Sequence, residues 1–218
     1  MEDIYGEQHR LFQQEFDTEK LADRVKEFIV LSEVPDEHKL FIESRDMFML
    51  TSIDHRGYPT CSHKGGMPGF VKVVDKKTIA FPSYDGNGMF LSLGNINGNN
   101  KIGMLFIDFE TPHRVRVHGT ANIVRQDPLT EEFAGSELVV RVTVQEIFVN
   151  CPRYIHHYQR AQYSKYAPQP DFESPLIPQW KRIDALQDVL PERENFIAEK
   201  LGTITQEEYG ELLMKGRG

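Results

Sequence analysis

Apolar and polar positions along the chain follow two periods, and the change between them falls near residue 47. Upstream, EKLADRVKEFIVL at 19–31 sets Leu21, Val25, Phe28 and Ile29 at helical spacing with charges between them, which predicts an amphipathic helix packed on something larger. Pro35 ends it, and Asp36 can cap a second helix through DEHKLFIES. From Met47 the period drops to two. MFMLTSI, the turn DHRGYP and the returning TCSHK predict a hairpin, and FVKVVD, KK and TIAFP predict another over 70–82. GMFLSLGNI reads as a helix, KIGMLFIDF at 101–109 as a strand, and RVRVHGTANIV at 114–124 alternates throughout. DPLTEEFA predicts a short helix, and ELVVRVTVQEIFVN at 137–150 a last long strand. Six or seven strands joined by short hairpins, with helices at the ends, predict an antiparallel barrel in an α+β domain.

Beyond Cys151-Pro152 the pattern loosens. APQPDFESPLIPQW holds four prolines in fourteen residues, a density that suits a surface arm and excludes a helix or a central strand. TQEEYGELLMKGRG opens with Thr205 and Glu208 at capping-box spacing and predicts a terminal helix.

Composition narrows the partners. Of the net charge of −8, six units come from residues 1–45, which carry 12 acidic and 6 basic side chains. The remainder is nearly balanced, so no clustered basic face for nucleic acid is expected. The start, MEDIYGEQHR, lacks the apolar core of a secretory signal, and runs such as MLFI at 104–107 are far shorter than a membrane span. Cys61 and Cys151 are too few for a disulfide framework or a zinc cluster. No membrane association and a cytoplasmic setting are the expectation.

Candidate chemistry gathers around FPSYDGNGMFLSLGNI at 81–96. A helix start offers unpaired N–H groups and a partial positive charge, which suits a phosphate even where no cationic side chain is near. Gly86 and Gly88 let a backbone approach closely, and Ser83 and Asn87 can donate hydrogen bonds. Two glycines and an asparagine also make an ordinary turn. Cationic charge would come from SHKGGMPGF at 62–70, where His63 and Lys64 leave a strand, or from Arg114 and Arg116 on one strand face. A lone lysine such as Lys64 is most often a solvated surface charge, and Arg114 and Arg116 also fit the exposed side of an amphipathic strand. His156 and His157 are adjacent and so face apart, which argues against a metal pair. Trp180, the sole tryptophan, is either an anchor for its proline-rich arm or a lid over a planar ligand.

TCSHKGGMPGFVKVVDKKTIAFPSYDGNGMFLSLGNINGNNKIGMLFIDF, followed by RVRVHGTANIV, resembles the pyridoxamine 5'-phosphate oxidase-like flavoproteins. The likeness is narrowest to a branch with S-x-[RK]-G-G-x-P-G-F-V-x-V, F-P-x-Y-x-G-N and S-L-G-N-I. It implies an FMN-binding split β-barrel over 46–155, with a helical arm at 1–45 and a second arm at 156–218. It also implies a homodimer with FMN in grooves shared by the subunits. Carried onto this chain, the phosphate-holding positions are Ser62, His63, Lys64 and Gly65, with Ser83, Asn87, Gly88 and Met89. Phe81 and Pro82 would line the isoalloxazine, and Arg114, with Arg116 beside it, would offer a polar group to the ring. Trp180 and Arg182 would reach the cofactor across the dimer. Authentic oxidases of the family carry Ser-Arg-Lys where this chain has Asn87-Gly88-Met89 and end in a basic motif absent here, which argues against vitamin B6 phosphate as substrate. The implied function is an FMN-dependent oxidoreductase acting on a small molecule or with NAD(P)H, with no metal site. The alternative is a non-catalytic protein holding flavin or haem, for which His63, His113, His118, His156 and His157 are the available ligands.

Overall fold

The structure is a computed structural model that describes residues 3–169 and 176–217. Contacts divide the chain into two units, one running to Tyr163 and the other from Ser164 onward. The first opens with three helices, α1 (Glu7–Glu15), α2 (Glu19–Ile29) and α3 (Asp36–Glu43). Seven strands follow: β1 (Met47–Ile53), β2 (Pro59–Gly65), β3 (Lys72–Asp75), β4 (Thr78–Tyr84), β5 (Lys101–Asp108), β6 (His113–Val124) and β7 (Ser136–Val149). One helix, α4 (Leu91–Gly98), joins β4 to β5. The expected strands are all present; α1 has no counterpart in the sequence reading. The stretch expected to form a short helix after Asp127 is a 3-10 turn, Pro128–Glu131.

All pairings are antiparallel and the order is β2-β1-β5-β6-β7-β4-β3. The sheet curls without closing, so β2 and β3 are its two edges and the architecture is an α+β split barrel. Curvature comes from long strands and from a bulge at His118/Gly119 against β7. A Cβ at Gly119 would lie 2.5 Å from the Thr143 carbonyl oxygen, so the bulge needs glycine there.

Alternation puts the core inside the curl. β1 and β6 bury every second residue, and Phe48, Leu50, Val115 and Val117 are almost wholly enclosed. Phe48 is the centre of an aromatic group, with ring centroids 5.1 Å from Phe81, 5.1 Å from Phe106 and 5.9 Å from Phe70. Phe70 comes from the 66–71 connection, which crosses from β2 to β3 at the open side. There a Cβ at Gly66 would fall 2.6 Å from the Phe70 ring, so glycine lets that ring in. α3 supports this connection: Gly69 N donates to the Glu43 carbonyl (2.8 Å) and Val73 N to the Glu43 carboxylate (3.0 Å).

The second unit contains short 3-10 turns, α5 (Phe196–Leu201) and α6 (Gln206–Met214). Ile183 and Ile197 are buried in it, beside an ion pair of Lys181 with Glu194 at 2.9 Å. The expected capping box is present at α6, where Thr205 Oγ1 accepts from Glu208 N at 3.1 Å and Thr205 N donates to the Glu208 carboxylate at 2.7 Å. The proline-rich stretch lies partly outside the described residues, at 170–175. No helix among the described residues is long and apolar enough to cross a membrane.

Candidate functional site

The register of the first hairpin decides which side of β2 faces inward. Phe48, Leu50 and Ser52 of β1 point into the core, and their partners are Lys64, Ser62 and Thr60. Directly opposed residues share a face, so this edge strand presents a row of three polar side chains to the interior. Helix α4 closes over that row through hydrogen bonds. Asn95 Nδ2 donates to Ser52 Oγ (3.1 Å) and Thr60 Oγ1 (2.9 Å), and Ser92 Oγ donates to Ser62 Oγ (3.1 Å). Asn95 sits over Thr60 and Ser92 over Ser62, so the helix runs with its N-terminus toward Lys64.

Lys64 itself is half-buried. Among the described residues no carboxylate or hydrogen-bond acceptor partners its ammonium, and burial alone pulls its pKa below the ordinary lysine value. The row thus ends in a desolvated cation that lacks a counter-charge.

The loop leading into α4 adds N–H groups at the same end. Gly88 takes a left-handed φ of +76° and Phe90 one of +49°, the latter rare for a bulky residue. The α4 N-terminus has no side-chain cap, so its first N–H groups have no side-chain acceptor. Asn87 folds back on its own loop, its Oδ1 accepting from Met89 N at 3.1 Å. Met89, Phe90 and Leu91 are each more than half exposed, an apolar rim around this end of the helix. At the end of β4, Ser83 and Tyr84 are half-buried. Burial pushes the Tyr84 phenol up to about 12, which keeps it a neutral hydrogen-bonding group at any physiological pH.

The remaining sequence-predicted positions are spread more widely. His63 is exposed on β2, on the face opposite Lys64. Gly65 follows it, and a Cβ there would meet the His63 ring at 2.8 Å. Phe81 and Pro82 are buried in β4, with the Phe81 ring inside the core against Phe48. Arg114 and Arg116 point out of the barrel from β6. Arg114 Nη2 donates to the Cys151 carbonyl (3.0 Å) while its Nε is buried without a partner. Arg116 lies over the Phe148 ring at 5.7 Å. Trp180 and Arg182 belong to the second unit, where Arg182 donates to the Gly202 carbonyl (3.0 Å) and to Gln179 (2.7 Å). Of the histidines weighed as haem ligands, His118 is bonded to Glu146 through Nδ1 (2.6 Å) and His113 packs edge-on against Phe41. No group of three or more metal-ligating side chains occurs among the described residues.

Sequence reasoning missed Ser92 and Asn95. Their i,i+3 spacing in SLGNI was the available signal, since it sets two polar groups on one face of an otherwise apolar helix.

The pyridoxamine 5'-phosphate oxidase family profile matches residues 34–151, more than half of the 218-residue chain. The chain belongs to that family. No curated protein matches it. Among solved structures, a putative pyridoxamine 5'-phosphate oxidase from Lactobacillus delbrueckii is similar over 54% of this chain and 95% of its own, at 20% identity and a TM-score of 0.44. A HupZ from Group A Streptococcus shows 20% identity over 53% of this chain and 93% of its own, with a TM-score of 0.43. An FMN-binding protein from Syntrophomonas wolfei shows 9% identity over 64% and 97%, with a TM-score of 0.42. At these values the structures give no residue-level guidance.

Proposed function

We propose that the chain binds FMN with its phosphate between Lys64 and the start of α4, and that it works as a homodimeric oxidoreductase on a small molecule or with NAD(P)H. The observation that carries this reading is the unpartnered, half-buried Lys64 at the end of a polar row that leads to an uncapped helix N-terminus. A cation left in that state is unfavourable by itself, and an anion at the helix start relieves both it and the free N–H groups. The residues present therefore fit a phosphate-bearing cofactor. Family membership supports a flavin as the rest of that molecule.

Bound there, the flavin would take up and release the hydride. The protein's own part is binding and charge. Lys64 and the α4 N–H groups neutralise the phosphate, while Ser62 and Ser92, bonded to each other, fix the helix above it. Met89, Phe90 and Leu91 supply apolar surface that excludes water from the cofactor once a second barrel faces it. Arg114, anchored on the Cys151 carbonyl and with Nε free, is the donor available to offset negative charge on a reduced ring.

Lys64→Gln tests the assignment by isothermal titration with FMN. Losing a charge-assisted contact in a desolvated site is expected to weaken binding at least tenfold, or about 1.4 kcal/mol. An unchanged dissociation constant would remove Lys64 from the site.

A further inference from the structure

The two N-terminal helices form a hairpin that is built inside out. Its interior contacts are polar: Arg10 and Lys26 both lie over the Tyr5 ring, at 4.9 and 5.3 Å from its centroid, and both pair with Asp3. Arg10 also bonds Asp23 at 2.8 Å. The large apolar side chains point away. Leu11, Phe12 and Phe16 on α1, and Leu21, Val25 and Phe28 on α2, are all exposed, the three phenylalanines at 66%, 68% and 74%. Neither helix buries a residue. The sequence predicts that α2 packs its apolar stripe on something larger; the stripe instead turns outward.

A groove lies at the root of the hairpin. Asp3 and Ile4, just before α1, line this groove of about 880 Å³ on the outer face of β1, β5 and β6. At the other end of the hairpin, Leu31 bridges Ile147 of β7. The outer face of β6 carries Arg114 and Arg116 in alternation with His118, which is bonded to Glu146 of β7, and Lys101 of β5 lies opposite Thr120. Arg116 and Lys101 line the groove together with His118 and Glu146.

We infer that the apolar face of the α1–α2 hairpin docks on the outer β1–β5–β6 face of a second copy of this chain, each arm embracing the other barrel and closing its groove. This rests on the paired-barrel reading above and names the element that makes the pair. Charge agrees with it, since residues 1–29 carry eight acidic and four basic side chains and the receiving strands β5 and β6 present Lys101, Arg114 and Arg116. Two such arms would repel each other, so each meets the opposite barrel and not the opposite arm. The same charge disfavours an anionic membrane as the occupant. Area agrees as well: the six exposed side chains offer roughly 600 Å² of apolar surface per copy, against the roughly 800 Å² each partner buries in a standard stable interface.

The test is sedimentation equilibrium of the wild-type chain and of Phe12→Asp/Phe16→Asp/Phe28→Asp, with FMN titration of each. The wild type is expected to be a dimer, and the variant's dimer dissociation constant to rise at least 100-fold with helical circular dichroism retained. A variant that pairs as tightly as wild type overturns the role of the arm and leaves the paired-barrel reading standing. A wild type that takes up FMN as a monomer overturns both. Hydrogen exchange on the wild type covers the case of a misfolded variant. Amides of 7–29 are expected to slow as protein concentration crosses the dimer dissociation constant, and concentration-independent exchange overturns the inference. Binding of the wild type to zwitterionic lipid vesicles in place of self-association does so too.

Discussion

Lys64 and His38 show how burial makes single groups sensitive to pH. Desolvation lowers the Lys64 pKa from its ordinary 10.5. The ammonium that faces the proposed phosphate is thus lost at a lower pH than that of a solvated lysine, and FMN affinity should fall with rising pH from that lowered value onward. His38 behaves in the opposite pH range. It is buried on α3 with Nδ1 unpartnered, and burial, helped by the nearby His113 and opposed by Glu37, lowers its pKa from 6.5. Below pH 6.5 the unfolded chain gains a proton that the folded chain refuses, so stability is lost as pH falls from 6.5 toward the folded-state value. Urea midpoints between pH 7.5 and 5 should drop in the wild type and drop less in His38→Leu; parallel curves would contradict this. On the loop, Asn87→Asp sets a negative charge beside the phosphate and should weaken FMN binding at least tenfold, about 1.4 kcal/mol. Equal affinity by titration would mean that the loop lies elsewhere.

Among the elements, α4 is the one on which the site depends. Its amide side chain at position 95 ties it to two strands, bonding Ser52 and Thr60. Asn95→Ala removes both bonds and leaves Ser52, which is 1% exposed, to rely on Thr60 alone. A loss of about 1–3 kcal/mol in unfolding free energy is expected, together with weaker FMN binding because the helix start shifts off Lys64. Unfolding by denaturant with and without FMN separates the two effects. The strands were legible because each half-buried strand alternates, as RVRVHGTANIV does. α4 was legible from its glycine-flanked apolar run. α1 was not, since EQHRLFQQE has few apolar residues and buries none, leaving no periodic signal of a packed face. The polar row on β2 was hidden for a different reason: TCSHK reads as an exposed edge until its register against Phe48, Leu50 and Ser52 is known. That Lys64 lacks a partner among the described residues is a tertiary fact, invisible at the level of residue types.

At the scale of the molecule, two surfaces of the first unit await something: the cradle at the Lys64 end of α4 and the outward apolar hairpin with its neighbouring groove. The proposed cofactor and second barrel would answer to both, and membership of the family supports the choice of a flavin. The most direct measurement is the visible absorbance of the purified chain after incubation with FMN and removal of free ligand, followed by titration with NADH or NADPH. The account predicts a retained flavin spectrum at about one FMN per chain that bleaches with a nicotinamide donor and returns in air. A protein that emerges colourless after exposure to excess FMN would contradict it.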